Sequence, residues 1–156
     1  MRTQTYDYRN GLKVVPNEII RTIEKAVWDI NPTLSKNSVT VIKDSIRERL
    51  EKEGWSGEYR LDPTSRITIS SFLQGIGLCF QTGNVGRIYA DLLKLQTLYT
   101  KGNIAAGIIL VPQLQTAKEL GYNMANYERL TRELPIFSQV ITMPIVIIGF
   151  DGTEAE

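Results

Sequence analysis

The chain has 156 residues, of which 42% are hydrophobic and 22% are charged. This is the size of one ordinary domain, and the composition predicts a packed core rather than a disordered chain. With 18 basic and 17 acidic residues, the chain lacks the strong positive charge of many nucleic-acid-binding proteins. Any surface for nucleic acid must therefore be a local patch.

The counts of cysteine and histidine exclude several kinds of site. One cysteine cannot form an internal disulfide, and the absence of histidine excludes histidine-based catalytic triads and histidine-ligated zinc. The longest apolar runs, at 104–111 and 144–150, are far shorter than the roughly 20 residues of a membrane-spanning helix. We therefore expect no membrane association and a cytoplasmic location.

The N-terminal part of the chain predicts two amphipathic helices, which together make up a segment at 17–54. The first helix starts at Pro16-Asn17-Glu18, carries apolar residues at helical spacing and stops at Asn31-Pro32. The second starts near 35–38 and ends at Gly54. The polar first ten residues lack the charged-then-apolar pattern of a signal peptide.

The rest of the chain, at 55–150, predicts short strands as well as helices. Turn residues at 62–65 and 74–75 separate two short strands at 66–72 and 75–81. A helix at 85–101 follows, then a buried strand at 103–112, short helices at 113–120 and about 124–134, and a buried strand at 144–150. The acidic tail from 151 is expected to fray. This order predicts a single α/β domain spanning 1–156, with a central mixed sheet flanked by helices on both faces.

The stretch after the second strand carries a family resemblance. It contains Gln81, the turn Thr82-Gly83-Asn84, and the helix sequence Tyr-Ala-Asp-Leu-Leu-Lys-Leu-Gln at 89–96. These features resemble the BglII/BamHI type of restriction endonuclease in the PD-(D/E)XK nuclease superfamily. The resemblance implies a restriction-endonuclease-like core, duplex DNA as ligand and a homodimer. In that family the strand ends in Glu-X-Gln or Glu-X-Lys.

Two carboxylates that the family uses to hold Mg²⁺ are missing from this sequence. The family's glutamate position is occupied by Cys79, and its aspartate position by Ser70 or the adjacent Ser71. A thiol and a hydroxyl are poor Mg²⁺ ligands. No other acidic residue lies between Asp62 and Asp91. The resemblance therefore implies no intact catalytic site and no cofactor.

Several other residues are candidates for function. By the family resemblance, Asn84, Arg87 and the start of the helix would lie near the DNA backbone. Further DNA-binding candidates could extend a basic surface: Lys94, Lys101, Lys118, Arg129 and Arg132. Asp91 and Glu18 are weak candidates for a displaced metal site, against the alternative that they are helix-capping or surface residues. Cys79 has no histidine to activate it, so it is interpreted as a buried structural cysteine.

Three functional hypotheses remain open. The first is a catalytically silent pseudonuclease that binds duplex DNA or a partner protein. The second is an active Mg²⁺-dependent endonuclease with relocated acids such as Asp62, Asp91 or Glu18, or with native acids that were artificially replaced. The third is a structural or assembly subunit without DNA affinity. Only the second requires Mg²⁺.

Overall fold

The computed structural model describes residues 1–153, which form seven strands, six α-helices and one 3₁₀ turn. The strands are β1 (Arg2–Tyr8), β2 (Tyr59–Arg60), β3 (Thr68–Ile69), β4 (Ser71–Leu73), β5 (Ile76–Phe80), β6 (Ala106–Pro112) and β7 (Ile145–Asp151). The helices are α1 (Gly11–Val14), α2 (Asn17–Trp28), α3 (Ser38–Lys52), α4 (Arg87–Thr100), α5 (Leu114–Leu120) and α6 (Tyr127–Glu133), with a 3₁₀ turn at Leu134–Phe137.

Five strands form one mixed sheet in the order β1-β7-β6-β5-β4. The three central strands, β5, β6 and β7, run parallel, and the edge strands β1 and β4 pair antiparallel with them. Every residue of β5 and β6 is buried, as expected for strands covered on both faces. The small ribbon of β2 and β3 is separate from this sheet.

Helices cover both faces of the sheet. On one face, Ile76, Leu78 and Phe80 of β5 pack in a core with α2 and α3. On the other face, Cys79 of the same strand packs in a core with α4 and α6. Alternate residues of a strand point to opposite faces, so β5 contributes to both cores. The predicted mixed sheet with helices on both faces is confirmed.

The structure corrects the element predictions at two ends of the chain. Residues 2–8, for which no element was predicted, form the edge strand β1 against β7. An edge strand is half exposed, and of β1 only Tyr8 is buried, so its sequence lacks the apolar alternation of a half-buried strand. The predicted fraying from 151 is wrong for Asp151, which ends β7. Residues 154–156 lie outside the described residues.

The predicted strand at 66–72 is also divided in the structure. It forms β3 and β4, with a bend at Ser70 between them. Among residues 1–153, no helix combines the length and apolarity needed to cross a membrane.

Asp151 ties the end of β7 to its neighbours and should make stability sensitive to acid. Burial alone would raise the pKa of its carboxyl, but hydrogen bonds from Thr116 and Thr153, together with Arg2, lower that pKa to about 2. A folded-state pKa below the unfolded value means that this stabilisation is present above about pH 4 and is lost as the pH falls towards 2.

We expect Asp151→Asn to lower the free energy of unfolding by about 2 kcal/mol at pH 7. Below pH 4 the free energy of unfolding should decrease less steeply in the variant than in the unaltered chain, as measured by urea unfolding. Asp44→Asn is the control, because Asp44 lies in an exposed pair with Arg47 that contributes little. Equal acid sensitivity of Asp151→Asn and the unaltered chain would contradict the assignment.

Candidate functional site

The candidate site lies at the carboxyl end of β5, on the face of the sheet that α4 covers. Cys79 is 2% exposed and sits in the core beneath α4. Gln81 lies two residues further along and reaches the same helix, because its Nε2 donates to Asp91 Oδ2 at 2.5 Å. The structure therefore brings Asp91 together with Cys79 and Gln81, the two residues that occupy the family's Glu-X-Gln positions.

Asp91 is the one carboxylate in this cluster, and it is already engaged. It is 4% exposed, and its second oxygen, Oδ1, lies 3.7 Å from the Lys94 ammonium. Burial raises the pKa of Asp91, while the hydrogen bond from Gln81 and the charge of Lys94 oppose that shift. Both carboxylate oxygens therefore have partners within the protein.

The Cys79 thiol is unsuited to nucleophilic attack or metal binding. Burial raises its pKa well above the usual value, and the nearby negative charge of Asp91 raises it further. The thiolate is the reactive and metal-binding form of cysteine. At neutral pH the side chain therefore remains a protonated, buried thiol.

The hydroxyls of Ser70 and Ser71 are both hydrogen-bonded to the backbone of neighbouring segments. Ser70 lies at the bend between β3 and β4, and its Oγ accepts a hydrogen bond from the backbone N–H of Phe80 at 2.8 Å. Ser71 Oγ donates to the Ser56 carbonyl at 2.6 Å. The Ser70 hydroxyl thus takes the place of a strand carbonyl where the bend interrupts the ladder.

The residues present do not fit Mg²⁺. That ion requires several hard oxygen ligands, normally including carboxylates. Within residues 1–153, no three His, Cys, Asp or Glu side chains are grouped so that they could hold a metal. Glu18 lines a groove between α2 and α3, on the face of the sheet opposite Asp91, and Asp62 instead accepts hydrogen bonds from the backbone and hydroxyl of Thr64.

The turn that follows β5 is firmly held. Gln81 Oε1 accepts from the Gly83 N–H at 2.8 Å, and Asn84 Oδ1 accepts from the Gly86 N–H at 3.0 Å. Arg87, the first residue of α4, lies against Gly83: a Cβ built on that glycine would meet the Arg87 Cδ at 2.8 Å. These contacts hold the turn at 82–86, which contains Asn84 and against which Arg87 packs, in a defined conformation.

A second loop, at 121–125, lies beside this turn. The Val85 N–H donates to the Asn123 carbonyl and the Ala125 N–H donates to the Gly83 carbonyl, both at 2.9 Å. Sequence reasoning missed this contact because it placed the start of a helix near 124, whereas α6 begins at Tyr127. The Gly-Tyr-Asn sequence at 121–123 was the available turn signal.

The proposed basic residues divide into two groups. Lys94 is paired with Asp91, and Arg129 is paired with Glu133 at 3.1 Å. Arg87 has no carboxylate within 4.0 Å among residues 1–153. Arg87 is therefore the basic residue at this edge whose charge is available to an external anion.

Comparison with known proteins places this geometry in context. The family model "Restriction endonuclease BamHI" matches residues 3–156. The chain is 33% identical to the type II restriction enzyme BamHI of Bacillus amyloliquefaciens over 92 residues, which are 59% of this chain and 42% of that enzyme. The match thus spans less than half of the length of this curated relative.

Solved structures give the same picture at the level of the fold. The chain is similar to restriction endonuclease BglII complexed with a DNA 16-mer, with a TM-score of 0.85 at 12% identity over 96% of this chain and 76% of that one. It is also similar to free BglII, with a TM-score of 0.79 at 12% identity over 100% of this chain and 82% of that one. The predicted restriction-endonuclease-like fold is confirmed.

Proposed function

Because the chain belongs to the BamHI restriction endonuclease family, we propose that it binds duplex DNA through the family scaffold without cleaving it. The observation that carries the proposal is the state of the positions where the family resemblance places catalytic acids. Ser70 completes a strand ladder and Cys79 is a buried thiol. The neighbouring carboxylate, Asp91, is held by Gln81 and Lys94.

The turn at 82–86 and the start of α4 supply the proposed DNA contact. Arg87, the first residue of α4, has an unpaired guanidinium with the geometry to bind a phosphate. Asn84 lies in the same turn. Contacts of this kind position a protein on the DNA backbone but carry no sequence information.

Arg87→Ala is expected to weaken duplex binding about fivefold to tenfold and to reduce the slope of log affinity against log salt by about one, because one phosphate contact is lost. Fluorescence anisotropy of a labelled duplex across a salt series measures both quantities. Arg21→Ala is the matched control, because Arg21 lies on α2 on the opposite face of the sheet. Equal effects of the two substitutions would contradict the assignment.

The two other hypotheses are outcomes of the same experiments. Metal-dependent cutting of duplex DNA by the unaltered chain would favour an active endonuclease with relocated acids. The absence of binding at low salt, together with a stable assembly, would favour a structural subunit. Salt-dependent binding without cutting supports the proposal.

We also propose that the chain forms a homodimer, as the family resemblance implies. An exposed apolar strip supports this: Leu93 on α4 is 59% exposed and lies between two contacts that join α4 to the segment at 134–142. Tyr89 packs edge-on against Phe137, and Gln96 bonds to Thr142. Ile136 and Val140, also exposed, extend the strip. Exposed apolar patches of this kind often mark protein interfaces.

Leu93→Glu is expected to shift the chain to monomers at concentrations where the unaltered chain is dimeric, because it places a charge within the interface. Sedimentation velocity measures this. Val41→Glu is the control, because Val41 is a similarly exposed apolar residue, 58% exposed, on α3. A monomeric unaltered chain, or a dimer that tolerates Leu93→Glu, would contradict this interface.

A further inference from the structure

Gln81 has both ends of its side-chain amide fixed by the protein. It is 8% exposed, its Nε2 donates to Asp91 Oδ2 at 2.5 Å, and its Oε1 accepts from the Gly83 N–H at 2.8 Å. An amide has one donor end and one acceptor end, whereas an ionised carboxylate only accepts. Asp91 therefore sets the direction of the Gln81 amide, and the oxygen is left facing Gly83.

The Arg87 side chain lies against Gly83. A Cβ built on Gly83 would meet Gln81 Oε1 at 2.8 Å, Arg87 Cδ at 2.8 Å and Arg87 Nη1 at 3.3 Å. The arginine side chain thus lies over the glycine, directly beside the amide that Gln81 holds. A change in the backbone at Gly83 would redirect the guanidinium.

The other side of the turn is held independently of Gln81. The loop at 121–125 bonds to the Gly83 carbonyl and to the Val85 N–H. Loss of the Gln81 contacts would therefore release one side of the turn while the other side stays attached. A local change in the turn, rather than unfolding of the region, is the expected result.

We infer that Asp91 is a positioning residue that acts through Gln81 to hold the 82–86 turn, so that Arg87 meets a DNA phosphate. This inference rests on the proposed DNA binding. It gives Gln81 and Asp91 a role in binding that requires neither a metal nor the missing carboxylates. Lys94 supports the same contacts, because its ammonium balances the buried charge of Asp91.

The test combines Gln81→Met with Arg87→Ala in a double-mutant cycle. Methionine approximates the length of glutamine but provides neither hydrogen bond, so Gln81→Met should weaken duplex binding about as much as Arg87→Ala, roughly fivefold to tenfold, and lower the salt slope by about one. In the Arg87→Ala background, Gln81→Met should have almost no further effect, because both act on one phosphate contact.

Two additional variants separate positioning from stability. Ser71→Ala removes the hydrogen bond to the Ser56 carbonyl, in the loop between α3 and β2, and should leave the salt slope unchanged even where it destabilises the fold. Asp91→Asn keeps the side-chain volume and serves where Gln81→Met does not fold; it should lower duplex affinity by a smaller factor and show the same coupling to Arg87→Ala.

The outcomes distinguish this inference from the function on which it rests. Multiplicative losses in the Gln81→Met and Arg87→Ala double variant, or an unchanged salt slope for Gln81→Met, would overturn the positioning role and leave DNA binding intact. A failure of the unaltered chain to bind duplex DNA at low salt would overturn both.

Discussion

Cys79→Glu is expected to lower the free energy of unfolding by about 3–5 kcal/mol at pH 7, because it places a carboxylate in a buried position without a partner. The substitution restores the acid at one family position, but the surroundings of that position are no longer suited to it. Cys79 is enclosed beneath α4, and the charge of Asp91 acts directly on its side chain. Two carboxylates would therefore repel each other in a region of low dielectric constant.

The loss of stability should depend on pH with a defined sign. Burial and Asp91 would raise the pKa of the introduced Glu above its unfolded value of about 4.3. Its protonated form is then the one compatible with folding, so stability is highest below that value and falls as the pH rises through the folded-state pKa. Urea unfolding between about pH 4 and 7 measures this dependence.

Cys79→Gln is the matched control, because it has nearly the same size as Cys79→Glu without the charge. The difference between the two variants isolates the carboxylate. We expect Mg²⁺ not to restore the stability of Cys79→Glu, because Gln81 and Lys94 already hold both oxygens of Asp91. A variant that gains several kcal/mol from Mg²⁺ would contradict the conclusion that this cluster does not fit the ion.

Gly77→Ala combined with Gly107→Ala is expected to lower the free energy of unfolding by roughly 2–4 kcal/mol, because both methyl groups press on one residue of α4. The two glycines are paired across β5 and β6. A Cβ on Gly77 would meet Leu95 Cδ2 at 2.9 Å, and a Cβ on Gly107 would meet Leu95 Cδ1 at 3.0 Å. The absence of side chains at these two positions thus allows Leu95 to pack against the sheet, and so allows α4, with Asp91, to lie close to it.

Addition of Leu95→Ala to this pair tests the mechanism. Leu95→Ala alone should destabilise the fold by about 2–4 kcal/mol through the cavity it leaves. In the triple variant the two methyl groups occupy part of that cavity. The decrease in the free energy of unfolding should therefore be smaller than the sum of the decreases caused by the glycine pair and by Leu95→Ala alone. Gly57→Ala, with no atom within 4 Å of its added Cβ, is the neutral control. Additive losses of stability in the triple variant would show that the two glycines do not provide the space in which Leu95 packs.

The sequence predicted those elements whose apolar pattern is strong. α4 has regular helical spacing, and β6 and β7 are unbroken apolar runs, so their type followed from local patterns. The strand β1 was missed because it pairs at the edge of the sheet and buries little. Its pairing with β7 joins residues at opposite ends of the chain, and no local pattern reveals such a contact.

The site was predictable in its residues but not in its contacts. The resemblance identified Ser70, Cys79 and Gln81 as occupants of the family's catalytic positions. It did not reveal that Gln81 would bond to Asp91, because that contact depends on how closely α4 approaches β5. Nor did it reveal that the Ser70 hydroxyl would accept from the Phe80 backbone. Both contacts depend on three-dimensional packing rather than on spacing along the chain.

One measurement tests the central claim most directly. The unaltered chain is incubated with a labelled duplex and Mg²⁺ or Mn²⁺, and the same reaction is divided between a native gel for binding and a denaturing gel for strand cleavage. We predict a shifted band that weakens as salt increases, with the DNA strands intact. Metal-dependent cleavage products would contradict the account, and so would the absence of any shift at low salt.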